Sequence, residues 1–199
     1  MRLEQRLQRL FDDGHGQELE DLLTDAKFID NAPTPAAVLI AVTDRPDPGV
    51  ILTQRPRNLR DHPGQVAFPG GKLEPGENAV EAALREAEEE LAVPRHAVRV
   101  IGASDEYVTG TGFEVTPVLG VIPPDLQLVP QPGEVESWFE VPLQTLFDRS
   151  NYDARQTVWK GIERTYYEMH FGDYRIWGVT AAIIANLSRR MALAELFDG

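Results

Sequence analysis

Apolar positions open the chain at helical spacing, with Leu3, Leu7, Leu10 and Phe11 on one side of a helix predicted over Leu3 to Leu10. A second short helix is predicted over Gln17 to Phe28, before Asn31-Ala32-Pro33-Thr34-Pro35 breaks the pattern. Ala37 to Val42 and Val50 to Thr53 read as strands joined by the turn-rich Asp44 to Gly49. A long loop, Arg55 to Lys72, leads into the clearest helix, Ala79 to Leu91. Further strands are predicted near Val98 to Gly102, Phe113 to Ile122, Val135 to Val141 and Thr157 to His170. Helices over Pro142 to Phe147 and Val179 to Phe197 complete the pattern. Strands and helices interleave without a regular βαβ rhythm, so the expected class is α+β, with a mixed sheet between helices and not a parallel doubly wound one. No repeat or linker divides the 199 residues, and a single domain over 1–199 is expected, with 1–32 as a helical N-terminal extension.

Composition narrows the function classes. The richest apolar stretch, Val179 to Leu187, falls well short of the ~20 residues that span a bilayer and already contains Thr180 and Asn186. Met1-Arg2-Leu3-Glu4-Gln5-Arg6 carries no apolar core of a signal peptide, so a cytoplasmic protein is expected. Without cysteine there is no disulfide, no thiolate metal site and no thiol nucleophile. A net charge of −13 repels nucleic acid and anionic lipid, so neither is expected as a partner. A small anionic ligand stays open if basic groups or a bound cation invert the field locally. A homodimer is also left open.

The helix over Ala79 to Leu91 sorts its residues by face. Asn78 and Glu81 form a capping-box pattern, and Pro94 prevents continuation. Val80, Ala83, Leu84, Ala87 and Leu91 form the predicted core stripe. Glu86, Glu89 and Glu90 fall at i, i+3, i+4 on an adjoining stripe, while Glu88 points into solvent. Like charges at that spacing destabilise a helix by roughly 0.2–0.5 kcal/mol per pair. The macrodipole near the helix C-terminus disfavours them further. Such a stripe either sits on a wet surface or holds a cation, and carboxylate oxygens suit magnesium, manganese or calcium, not zinc.

Phe68-Pro69-Gly70-Gly71-Lys72 places adjacent glycines ahead of this helix, allowing backbone to approach a ligand closely. Gly71, Glu77 and Arg85-Glu86-Ala87-Glu88-Glu89-Glu90-Leu91-Ala92-Val93, at their fixed spacing, resemble the Nudix box. The pattern departs at Ala92, where that family usually has glycine; alanine in a left-handed helix end should cost about 1 kcal/mol. The resemblance implies an α/β/α sandwich with a catalytic loop–helix–loop and a Mg2+ or Mn2+ cofactor. It also implies metal binding by Glu86, Glu89, Glu90 and the Gly71 carbonyl, with Arg85 holding an acid in place. The implied reaction is attack of water on a diphosphate phosphorus, with Glu86, Glu89 or a later acid such as Glu134 as general base.

Upstream, Leu52-Thr53-Gln54-Arg55, Leu59-Arg60 and Gly64-Gln65-Val66-Ala67-Phe68-Pro69-Gly70-Gly71 are similar to the extended motif of the coenzyme A pyrophosphatase subfamily. Those enzymes yield 3′,5′-ADP and 4′-phosphopantetheine, and the resemblance covers roughly residues 36 to 190. It implies substrate contacts at Thr53, Arg55, Arg60 and Phe68. Arg55, Arg57 and Arg60 form a cationic cluster in an acidic chain, suited to phosphate. Phe68 either stacks on adenine or packs under the glycine turn, and packing is favoured. His62 reads as structural and Trp177 as core. Other nucleoside diphosphate derivatives, and a non-catalytic nucleotide-binding domain, are the competing readings.

Overall fold

The computed structural model describes residues 1–58, 63–159 and 161–196. In chain order the elements are α1 (Leu3–His15), β1 (Thr34–Thr43), β2 (Gly49–Gln54), β3 (Val66–Ala67), β4 (Gly70–Lys72) and α2 (Ala79–Leu91). They continue with β5 (Arg99–Ala103), β6 (Tyr107–Val108), β7 (Phe113–Ile122), β8 (Ser137–Pro142) and α3 (Leu143–Phe147). The hairpin of β9 (Asp153–Trp159) and β10 (Ile162–Phe171), then β11 (Tyr174–Trp177) and α4 (Val179–Arg190), complete the fold.

β1 and β7 run parallel in register from Thr34↔Phe113 to Thr43↔Ile122, and every other pairing in the main sheet is antiparallel. The sheet is therefore mixed, in the order β3-β2-β1-β7-β5, with β4 on β1, β6 on β7 and β8 on β2. Strand alternation divides the core. Ala37, Leu39 and Ala41 pack with Ala82, Ala83, Ala87 and Leu91 of α2. Ala36, Ile40 and Val42 face the opposite layer, where Leu7 and Leu10 of α1, Leu146 of α3 and Ile184 and Leu187 of α4 pack. Each fully buried side chain of this size contributes ~1.5–3 kcal/mol. The result is three layers, helix over sheet over helices, with a small antiparallel sheet, β11-β10-β9, beside them.

Several expectations are corrected. Gln17 to Phe28 is not a helix; only Ala26–Phe28 forms a 3-10 turn. The Asn186 side chain accepts the Leu23 N–H at 2.8 Å and donates to the Leu23 carbonyl at 3.0 Å, replacing helical partners, and Asp21 has φ 59°. The strand expected over Thr157 to His170 is a hairpin, with Gly161 at φ 76° in its turn. The last helix ends at Arg190 and a short 3-10 turn, Leu193–Leu196, follows. On α2, Ala82 replaces Val80 and Leu84 at the centre of the core stripe, and both of those are half-buried at its flank.

Candidate active site

α2 begins where the sequence says it should. Asn78 Oδ1 accepts the Glu81 N–H at 3.0 Å, and Glu81 Oε2 accepts the Asn78 N–H at 2.9 Å. The loop before the helix is closed by the same chemistry, with Glu77 Oε2 accepting the Glu74 N–H at 2.9 Å.

In the second turn of the helix, Arg85 is 8% exposed and gathers the site. Its Nε and Nη2 donate to the two oxygens of Glu77 at 2.8 and 3.0 Å, a bidentate pair. Nη1 donates to Glu86 at 2.8 Å and to Glu89 at 3.0 Å, and Nη2 also reaches the Lys72 carbonyl at 2.9 Å. The guanidinium therefore ties loop to helix and orients two of the stripe carboxylates. Hydrogen bonding to Arg85 holds the Glu77 carboxyl below its usual range.

Glu86 and Glu90 behave differently. Burial, opposed by Arg85 and aided by Glu89 and Glu134, raises the Glu86 carboxyl. Burial first, then the Glu86 charge, pushes Glu90 up to about 8, with the Gly70 backbone and Arg55 opposing and Glu134 adding to the rise. One oxygen of Glu90 is buried without a hydrogen-bond partner. Glu134, on an exposed loop, is thus close enough to bear on both carboxylates. Glu89 remains half-exposed, and Glu88 pairs with Arg95 at 2.7 Å on the far side.

The glycines are required by contact. A Cβ on Gly71 would lie 2.4 Å from Glu86 Oε1, and one on Gly70 2.3 Å from the Ala37 carbonyl oxygen. β4 can pair with β1 and leave room for the carboxylates only without side chains there.

Among the described residues, no three acidic or histidine side chains converge, as they stand, on one ion. The donor set nonetheless suits a hard divalent cation. Glu90 has a desolvated oxygen with nothing to bond, the Glu86 charge raises it further, and the half-exposed Glu89 can turn from Arg85.

Beside this helix lies a cavity of about 550 Å³, walled by β4, the start of β1, the turn between β6 and β7, and the first residues of α4. Among the described residues, Arg55 and Lys72 are its charged lining residues and no acid is in the lining. Arg55 Nε is buried without a partner. Phe68 is 3% exposed and forms part of the wall, packed in the main core. Thr53 is buried outside the lining, and its hydroxyl donates to the Ala67 carbonyl at 3.1 Å. The backbone N–H of Arg57 donates to Glu136 at 3.1 Å. Arg60 and His62 lie outside the described residues. Trp177 is half-buried, with the Arg175 guanidinium 4.6 Å from its ring centroid. Lys72, Thr109, Thr111, Phe113 and Val179 line the cavity without a local motif to mark them, because they come from segments far apart in the chain.

Comparison with known proteins accords with this geometry. The family model described as the NUDIX domain matches residues 33–160. The uncharacterized Nudix hydrolase NudL of Escherichia coli K12 is 43% identical over 159 residues, 79% of this chain and 83% of that protein. NudL of Shigella boydii serotype 4 matches to the same extent, 43% over 159 residues, 79% of this chain and 83% of its own. The crystal structure of the Nudix hydrolase RenU of Mycobacterium smegmatis shares the fold, with a TM-score of 0.51 at 23% identity over 60% of this chain and 76% of that one. The chain belongs to the Nudix family of hydrolases. Enzymes of this family generally use divalent ions such as Mg2+ or Mn2+. No helix among the described residues is long and apolar enough to cross a membrane.

Proposed function

We propose that this enzyme hydrolyses the diphosphate of coenzyme A, or of its acyl and oxidised derivatives, to 3′,5′-ADP and (acyl-)4′-phosphopantetheine. One observation carries the reading. In a chain of net charge −13, the cavity beside the carboxylate helix is lined, among the described residues, by two cations and no acid, and Arg55, Gln65, Ala67, Phe68, Gly70 and Gly71 of its wall belong to the motif that resembles the coenzyme A subfamily. Its volume of about 550 Å³ is in the range of small-molecule sites.

Glu86, Glu89, Glu90 and the Gly71 carbonyl would hold the cation. When bound, that ion supplies Lewis-acid stabilisation of the diphosphate and activates water. The chain's own groups do the rest. Arg55 and Lys72 neutralise the phosphates and orient them. Arg85 fixes the angle of Glu86 and Glu89 while Glu77 anchors Arg85 in turn. A carboxylate, Glu86, Glu89 or Glu134, takes the proton of the attacking water. The water oxygen bonds to phosphorus, the bridging P–O bond breaks, and its electron pair leaves with the departing phosphate. Phe68 packs under the glycine turn and forms part of the cavity wall, and Thr53 acts behind that wall by tying β2 to β3. The subfamily resemblance adds Arg60 to the phosphate-binding residues.

A panel of coenzyme A, ADP-ribose and a dinucleotide polyphosphate in Mg2+, with products identified by mass, tests the reading. Release of 3′,5′-ADP at a higher kcat/KM than the other two reach is expected. Intact coenzyme A beside cleaved ADP-ribose would overturn the substrate, and no hydrolysis of any member would overturn the catalysis.

A further inference from the structure

The family match begins at residue 33, yet the segment ahead of it is fastened to the cavity wall from behind. Asp25 is 5% exposed. Its carboxylate accepts the Tyr107 hydroxyl at 2.9 Å and is ion-paired with Arg164, and its backbone N–H donates to the Val108 carbonyl at 2.8 Å. One aspartate thus holds both residues of β6. Burial, and then the Asp25 charge, push the Tyr107 phenol well above its usual range, which keeps its hydroxyl a donor.

Arg164 links this anchor to the hairpin. Its guanidinium lies 6.0 Å from the Phe28 ring centroid and 5.6 Å from that of Trp159, and the two rings meet edge to face at 5.3 Å. Trp159 covers Gly110 so closely that a Cβ there would stand 2.3 Å from the indole. Gly110 separates Thr109 and Thr111, and both of these line the cavity. The turn they form is tight: the Thr109 N–H donates to the Phe113 carbonyl at 2.7 Å, and the Phe113 N–H donates to Thr109 Oγ1 at 2.9 Å. A shift of Trp159 is therefore passed to the cavity wall as a body.

We propose that Arg164 and Trp159 are positioning residues which, clamped by Asp25 and Phe28, hold Thr109-Gly110-Thr111 at the setting that fits the substrate. The N-terminal segment and the β9–β10 hairpin then set substrate affinity without touching the reacting atoms. This rests on the cavity being the substrate site. A misplacement of about 1 Å at such a distance from the chemistry can cost up to 10²-fold.

Steady-state kinetics of Arg164→Ala, Trp159→Ala and Trp159→Phe, in Mg2+ on the three-nucleotide panel, decide it. Arg164→Ala and Trp159→Ala are expected to raise KM roughly five- to tenfold on the nucleotide the wild type cleaves best, with kcat within about twofold, and Trp159→Phe to restore most of the loss. A purely structural brace would instead lower the folded fraction, and so the apparent kcat, with KM unchanged. That result in both alanine variants overturns the inference, and if one of them does not fold, the KM of the other decides. Should the wild type spare coenzyme A and cleave ADP-ribose, the substrate reading fails while KM on ADP-ribose still judges the clamp.

Discussion

On the small sheet Glu168 stands between two guanidiniums, whereas at α2 one guanidinium is shared by three carboxylates and a fourth, Glu90, has no hydrogen bond from it. Glu168 accepts Arg155 Nε at 2.8 Å and Arg175 Nε at 2.7 Å, and these bonds, Arg175 first, hold its carboxyl below the usual range. Arg85 serves Glu77, Glu86 and Glu89, leaving Glu90 buried with an unpartnered oxygen and a carboxyl raised to about 8. Both clusters use arginine–carboxylate pairs; they differ in the balance of charge. A cluster whose carboxylate is fully paired braces three strands. A cluster with surplus, desolvated negative charge is strained until something positive arrives, which is the physical signature of a cation site.

The widest separation between the clusters is expected in turnover. Glu89→Gln or Glu90→Gln should lower kcat by at least ~100-fold, the scale of losing metal-borne stabilisation of the transition state. Glu168→Gln should lower the melting temperature and leave kcat within about twofold, since no group of the site touches it. A chelator should reproduce the loss in the wild type. Near-normal rates in both α2 variants, or a Glu168→Gln enzyme as slow as they are, would erase the distinction.

The sequence made one half of this contrast readable. The bounds of α2 follow from local signals, namely the Asn78–Glu81 capping box, the apolar period and Pro94, and the structure reproduces Ala79–Leu91. β7 likewise matches its apolar run, Phe113–Ile122. Spacing also brought Glu86, Glu89 and Glu90 onto one stripe. It did not tell which of them the sheet would bury, because that depends on how the helix is rolled against β1. Ala82 and Glu90 are buried where Val80 and Leu84 were expected to be central. The Glu168 cluster was illegible because its partners, Arg155 and Arg175, meet only when two hairpins form. The helix expected over Gln17 to Phe28 failed for the same kind of reason, as Asn186, 163 residues away, takes over the backbone of Leu23.

A second, smaller effect concerns pH and the metal-free protein. The folded Glu90 carboxyl, at about 8, holds a proton that the unfolded chain releases near the ordinary value of 4.5. Below about pH 4.5 both states are protonated and the contribution to stability is complete; it is lost as pH rises through the window up to about 8. The raised Glu86 carboxyl acts in the same direction. The melting temperature of chelated protein should therefore fall between pH 5 and pH 8, and Mg2+ should recover it at the upper end. Glu90→Gln should flatten the fall and leave the inactive variant more stable than the wild type at pH 8. A Glu90→Gln curve parallel to the wild type would show that this carboxyl is not the strained one, and the contrast with Glu168 would rest on Glu86 instead.

The smallest expected change lies one residue beyond the helix. Ala92 takes φ 57° and ψ 33°, so the left-handed end forms despite its Cβ and the terminus does not shift. The conformation is secured by the Ala92 N–H donating to the Glu88 carbonyl at 2.9 Å and the Val93 N–H to the Ala87 carbonyl at 3.3 Å. A non-glycine residue there costs about 1–2 kcal/mol. Glycine would remove that cost but loosen the unfolded chain by roughly 0.5–1 kcal/mol. The Ala92 side chain is exposed, so no packing is lost. Ala92→Gly should therefore stabilise by at most about 1 kcal/mol, a rise of about 2–4 °C in melting temperature, with kcat and KM unaltered. A lower melting temperature would mean that the helix end is not strained. A changed kcat would mean that the loop carrying Glu134, whose Val129 and Gln131 N–H groups donate to the Leu91 and Glu90 carbonyls at the end of α2, takes its setting from this residue, and that the charge imbalance on α2 is tuned from its C-terminal end as well as by Arg85.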